Sequence, residues 1–183
     1  MAMSAQHAIT TIEDLLALPS DGLRHELLDG DHAVTPAPSV GHQVVVVRLL
    51  SALKASFAST DLAVLASPAD IHLGPRTLVQ PDVFAIRLPD DWSRASWGEI
   101  GIPCLAIEVI SPASARRDRG IKRDVYLSAG VEEYWIVDID SRLVECWRAG
   151  DEKPEIAHTE LRWSLRVGAS GVLSVAALFA DRD

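Results

Sequence analysis

The chain has 183 residues, 48% hydrophobic and 23% charged, which is ordinary globular usage. That composition excludes wholesale disorder and suits one domain over residues 1–183. Seventeen Lys and Arg against 26 Asp and Glu give a net charge of −9, so no global cationic field exists to drive non-specific binding to nucleic acid or an anionic membrane. Any nucleic-acid contact has to be local.

In chain order, Thr11 and Asp14 have capping-box spacing before the apolar Leu15, Leu16 and Leu18, and Pro19 closes a short helix. Residues 24 to 34 read as a hairpin about the turn Asp29-Gly30. From Ser39, an N-cap, apolar residues at Val46, Leu49, Leu50, Leu53 and Phe57 predict a long helix. Strand-like runs follow at 62 to 66, 70 to 73, 78 to 88 and 103 to 110. A second helix is expected from Ser114, as a cap, to Gly130, as a stop, with Ile121 and Val125 at helical spacing.

After it, VEEYWIVDI and RLVECWRA, separated by Asp140-Ser141, read as a β-hairpin whose first strand is central. Strand-like pieces and the apolar LSVAALFA end the chain. The order predicts a mixed α/β fold, a sheet covered by at least two helices with additional β-hairpins.

No apolar run approaches the roughly 18 residues of a membrane span. The opening MAMSAQHAIT has neither the positive nor the apolar region of a secretory signal. A cytoplasmic location without a membrane partner is expected. Cys104 and Cys146 are too far apart for a Cys-x-x-Cys pair and read as buried free thiols. Tyr134 and Trp135 read as core aromatics, while Trp92 and Trp97 fall in a loop-like segment and either line a groove or pack beneath one. The chain contains no P-loop, HExxH, Gly-x-Ser-x-Gly or strand-linked GxGxxG pattern.

Strand alternation over 78 to 88 puts Leu78, Gln80, Asp82, Phe84 and Ile86 on one face. In 103 to 110 it groups Cys104, Ala106, Glu108 and Ile110, leaving Glu108 as the one charge in an eight-residue strand. A buried, unpaired carboxylate costs several kcal/mol and demands a cation or a hydrogen-bond network. Arg87 and Arg48 are structural partners to weigh for Glu108, and an i, i+4 pair with Asp118 on a solvated face is the bland account of Lys122. The sharper account has the helix carry Lys122, one of only three lysines, toward both acids beside Asp118 and Tyr126. Two acids and an ammonium sharing a space suit Mg²⁺-dependent phosphodiester hydrolysis, with Asp82 and Glu108 as the metal ligands.

The pattern Pro81-Asp82, Glu108-Val109-Ile110-Ser111-Pro112, Asp118-Arg119-x-x-Lys122, Tyr126 and Gly130-Val131-Glu132-Glu133-Tyr134-Trp135-Ile136-Val137-Asp138 resembles the Uma2 family of restriction endonuclease-like proteins. Arg24-x-Glu26-Leu27-x-x-Gly30, His42 and Leu178-Phe179 extend the resemblance over nearly the whole chain. It implies a restriction-endonuclease-like core of the PD-(D/E)xK nuclease superfamily. The superfamily's usual lysine lies two residues after the acid, at a position held here by Ile110, and the resemblance implies that Lys122 takes over its role.

Asp82, Glu108 and Lys122 are therefore the catalytic candidates, with Glu26, His42, Asp118 and Tyr126 secondary. Glu26 is a candidate outer metal ligand, and His42 is equally a helix-start or surface histidine. Arg116, Arg117, Arg119 and Arg123 are candidate nucleic-acid contacts, or simply solvate their helix. The expected activity is a Mg²⁺-dependent (or Mn²⁺-dependent) endonuclease acting on nucleic acid, DNA first. A homodimer is expected, since two sites serve to cut two strands. The alternative is a non-catalytic nucleic-acid-binding or protein-interaction module that keeps the fold.

Overall fold

The computed structural model describes residues 8–180, and residues 1–7 of the stretch read for a secretory signal lie outside them. Helix α1 (Ile12–Leu16) opens on the capping box of Thr11 and Asp14. The hairpin is β1 (Arg24–Leu28) and β2 (Asp31–Thr35), turned by Asp29 and Gly30 at φ +53° and +88°, the double positive φ of a tight hairpin turn. With β4 (Ile71–Gly74) and β5 (Thr77–Val79) it forms an antiparallel sheet in the order β2-β1-β5-β4. The long helix is α2 (Val40–Lys54), capped where the Ser39 hydroxyl accepts from the His42 backbone N–H.

The main sheet has six strands in the order β10-β9-β8-β7-β6-β3. These are β3 (Leu62–Ala66), β6 (Val83–Arg87), β7 (Leu105–Ile110), β8 (Glu133–Asp138), β9 (Leu143–Trp147) and β10 (Glu155–Ala157). Among the described strands only β7 and β8 run parallel, and a helical crossover joins them. A two-stranded ladder, β11 (Glu160–Ser164) and β12 (Ser170–Ser174), leads into the last turn of helix, α5 (Val175–Leu178). Among the described residues no helix is long and apolar enough to cross a membrane.

Strand alternation divides the core. Val83, Ala85, Leu105, Ile107, Val109, Trp135 and Val137 meet α2 and the C-terminal ladder on one face. Phe84, Ile86, Ala106, Ile110, Tyr134 and Ile136 meet Leu28, Ile71 and Val79 of the smaller sheet on the other. Glu108 falls in register with the second set, so it enters the seam between the two sheets. Arg24, Glu26 and Leu28 share the inward face of β1, while Leu27 turns outward to Ile12, Leu15 and Leu78 beneath α1.

Sequence expectations need correction in two regions, residues 78 to 88 and the second helix. Residues 78 to 88 are not one strand: β5 stops at Val79 in the smaller sheet and β6 starts at Val83 in the larger. Pro81, with no N–H for a ladder, sits at the crossing. Leu78 and Phe84 consequently lie in different clusters instead of on one face. The second helix is broken into α3 (Ala115–Arg117), a π-helical turn (Asp118–Lys122) kinked at Gly120, and α4 (Arg123–Ala129), closed by Gly130 at φ +101°. Ser114 does not cap it by its side chain; its hydroxyl instead accepts from the Ser111 N–H. The apolar tail after Ser174 is a helical turn. Of the loop tryptophans, Trp97 packs edge-on to Phe84 while Trp92 is exposed.

Candidate active site

A cavity of about 490 Å³ opens at the seam between the two sheets, beside the start of α2 and the π-helical turn. Asp82, Glu108, Lys122, Glu26, His42 and Asp118 all line it. Tyr126 lies beneath, reaching Glu108 through its hydroxyl. Each element delivers its part for a local reason. Pro81 ends the crossing and leaves Asp82 at the head of β6. Pairing in the middle of the sheet fixes Glu108. The capped start of α2 aims His42 inward, and the kinked π-helical turn buries both Asp118 and Lys122.

Both oxygens of Asp82 are hydrogen-bonded, one of them twice. Its Oδ1 accepts from Arg24 Nη1 at 2.8 Å, and its Oδ2 accepts from the Val109 backbone N–H and pairs with His42 Nε2, each at 2.9 Å. Burial works to raise its pKa, but the bond and charge of His42, the Arg24 guanidinium and the Val109 N–H outweigh it and hold the carboxyl below the usual range. Arg24 also donates to the Gln80 carbonyl.

Glu108 belongs to a second constellation. Its Oε1 accepts from Lys122 Nζ and Tyr126 Oη, each at 2.8 Å. Lys122 Nζ also meets Glu26 Oε1 at 2.8 Å, and that oxygen accepts from the Gln80 backbone N–H. Lys122 is 2% exposed and Glu26 is fully buried, so neither is a solvated surface partner. Burial works to lower the pKa of Lys122, but Glu108, Glu26 and Asp118 around it outweigh that and hold the ammonium charged. Burial, with Asp82, Asp118 and Glu26 adding to it against Lys122, raises Glu108 to about 8. Asp118 is also raised, by burial first. Four carboxyl groups thus share the cavity wall with Arg24, Arg117 and Lys122.

The cations weighed for Glu108 go elsewhere, Arg48 to the Leu178 carbonyl and Arg87 to Asp61. Of the four arginines expected at nucleic acid, Arg117 lines the cavity and donates to Thr35 Oγ1 at 2.8 Å. Arg116 is exposed outside the lining. Arg119 is held by Asp138 and Glu145, and Arg123 by Asp124 and the face of Trp147, so these two are committed away from the cavity.

Arg24 entered the sequence argument only as a motif position, and its bond to Asp82, 58 residues away, was not foreseen. The usable signal was its place two residues from Glu26 on one strand face. The Val109 N–H gave no signal at all, since backbone groups leave none.

Among the described residues six buried side-chain polar atoms lack a hydrogen-bond partner: Arg24 Nε, Glu26 Oε2, His42 Nδ1, Gln80 Oε1, Arg117 Nε and Asp118 Oδ1. Five belong to residues lining this cavity, and Gln80 is bonded to Glu26 at its edge. No three His, Cys, Asp or Glu side chains close into a metal cage among the described residues. The hard oxygen donors of Asp82, Glu108, Glu26 and Asp118 around one cavity, with Glu26 Oε2 and Asp118 Oδ1 lacking hydrogen bonds, fit a divalent cation.

The family model described as "Uma2: Putative restriction endonuclease" matches residues 12–173. A protein of Synechocystis sp., described as uncharacterized, is 28% identical over 131 residues, covering 70% of this chain and 68% of its own. A crystal structure from Anabaena variabilis, titled a putative nuclease belonging to DUF820, superposes with a TM-score of 0.74 at 20% identity. It covers 92% of this chain and 97% of its own, and at that identity the likeness establishes the fold.

Proposed function

Because the chain belongs to the Uma2 family, described as restriction endonucleases of putative standing, we propose that the cavity hydrolyses phosphodiester bonds in nucleic acid, DNA first, with Mg²⁺ or Mn²⁺. The observation that carries this reading is the gathering of unsatisfied buried polar atoms at one place. Each such atom costs about 1–3 kcal/mol in a folded protein, and a core built only for stability would pair them. Restriction endonuclease-like proteins in general use divalent metals.

Asp82 and Glu108 would hold the ion, with Glu26 and Asp118 as further carboxylates near it. When bound, it supplies Lewis-acid stabilisation of phosphoryl oxygens and acidifies a water. The protein's own residues set the stage. Lys122, fixed between Glu108 and Glu26, presents an ammonium that orients the attacking water and stabilises charge building on the phosphoryl group. Tyr126 locks the Glu108 carboxylate in place, and His42 and the Val109 N–H do the same for Asp82. Arg117 at the lining is placed to meet a phosphate.

The test is cleavage of plasmid DNA and of single-stranded DNA and RNA with Mg²⁺ or Mn²⁺, wild type against Glu108→Ala and Lys122→Ala purified identically. Cutting by wild type that both variants lose is the expected result. Cutting that survives in Glu108→Ala overturns the site assignment, and absence of cutting on every substrate overturns the activity.

One observation favours a non-catalytic module instead: Arg119 and Arg123 are neutralised by the protein's own groups, which thins the local basic surface. That reading predicts no divalent-ion binding by calorimetry and unchanged function in Asp82→Ala.

A further inference from the structure

We propose that Arg24 is the resident counterion of Asp82, and that a divalent cation reaches Asp82 only by displacing this guanidinium. The inference rests on the metal-dependent reading above and concerns what sets the affinity of that site. The two oxygens of Asp82 are unequal. Oδ2 is claimed twice, by His42 Nε2 and by the Val109 N–H, both fixed by a helix start and a sheet strand. Oδ1 carries only the bond from Arg24 Nη1. It is the oxygen with capacity left, and therefore the one a cation would take.

A dication and a guanidinium cannot share that oxygen at low cost, because side by side in a partly water-excluded cavity they repel strongly. A guanidinium cannot shed its charge to relieve that repulsion. Arg24 is also the member able to leave: its side chain is 20% exposed at the cavity, against 5% for Asp82 and 13% for His42. Its hold on the Gln80 carbonyl keeps it tethered at the rim once Asp82 is released. In the cation-free protein the same residue neutralises a buried carboxylate, so it exchanges affinity for stability.

The experiment is titration of the full chain with Mn²⁺, followed by calorimetry and by the electron paramagnetic resonance of free Mn²⁺, with thermal melting of each variant in chelator and in saturating Mn²⁺. Arg24→Gln is expected to bind Mn²⁺ about ten-fold tighter or more. In chelator it should melt below wild type, and Mn²⁺ should recover more of its stability than it adds to wild type. Arg24→Lys keeps a charge without the planar fork and should shift affinity in the same direction by less, which carries the test if the glutamine variant does not fold. Adding Asp82→Asn to Arg24→Gln should abolish the gain.

Equal or weaker binding by folded Arg24 variants, or a gain that persists without Asp82, overturns this inference while leaving the metal site standing. Absence of Mn²⁺ binding in wild type and variants alike overturns it together with the metal-dependent part of the proposed function.

Discussion

Two buried glutamates on neighbouring strands, Glu108 of β7 and Glu133 of β8, are 3% and 2% exposed, and both intrude on apolar strands. Their surroundings differ in one respect. Glu133 is closed: Oε1 accepts from Arg148 at 2.9 Å, and Oε2 accepts from Trp135 Nε1 at 2.8 Å and from Cys146 Sγ. No buried atom of that cluster lacks a hydrogen bond, whereas Glu26 Oε2 and Asp118 Oδ1 in the groups around Glu108 do. Burial does not separate a carboxylate that holds a fold from one that awaits a ligand. Residual hydrogen-bonding capacity does.

The comparison breaks most sharply under truncation. Glu108→Ala is expected to lower cleavage by at least about 100-fold, the scale of losing one preorganised electrostatic contact, measured as initial rate of supercoiled-plasmid loss. Glu133→Ala should leave the rate per folded molecule intact. It should instead lower stability by about 2 kcal/mol in urea titration, because Trp135 Nε1 and Cys146 lose their acceptor while Arg148, 37% exposed, can turn to water. If Glu133→Ala abolishes cutting at full stability, the distinction between open and closed clusters fails.

The sequence could not have drawn that distinction. Glu108 and Glu133 both fall in the motifs that carry the resemblance, while the partners that close Glu133 include Cys146 of β9 and Arg148 just past its end. Glu108 and Lys122 were legible because a lone charge in an apolar strand and a rare lysine at helical spacing are local signals. The split of residues 78 to 88 between two sheets was hidden because each half alternates correctly by itself, and Pro81 alone hinted at the break. Arg24 was legible only through its place beside Glu26 on one strand face, and Thr35 not at all, since their partners Asp82 and Arg117 lie 58 and 82 positions away.

A pH experiment sharpens the same contrast at a second closed cluster. Asp138 is raised by burial but lowered further by the Ser141 N–H and the Arg119 guanidinium, so its folded pKa lies below the ordinary 3.8. A depressed carboxyl stabilises the fold above its unfolded pKa and loses that contribution as pH falls through the folded one. Asp138→Asn should therefore melt lower than wild type at pH 6, and the gap should close below about pH 4. A gap that is constant from pH 6 to 2.5 would refute the ion-pair account.

The smallest effect concerns the thiols. Burial raises Cys104 to about 11, and burial with the adjacent Glu133 raises Cys146 further. Native protein at pH 8 should be alkylated by iodoacetamide far more slowly than urea-unfolded protein, where both thiols react. Fast native labelling at either position, read by mass spectrometry, would contradict the burial that raises both thiols.

Lys122 arrives on the crossover between β7 and β8, 14 positions after Glu108, instead of on the strand that bears the acid. The three-dimensional address of the ammonium is thereby uncoupled from its linear one. Insertions in such a connection can drift through evolution so long as the return path still presents an amine to the inner wall, and a search template written as fixed gaps between letters passes such chains over. A template written as a pocket, with an acid at the head of one strand, an acid in the middle of the next and an amine anywhere on the bridge after it, would retrieve them.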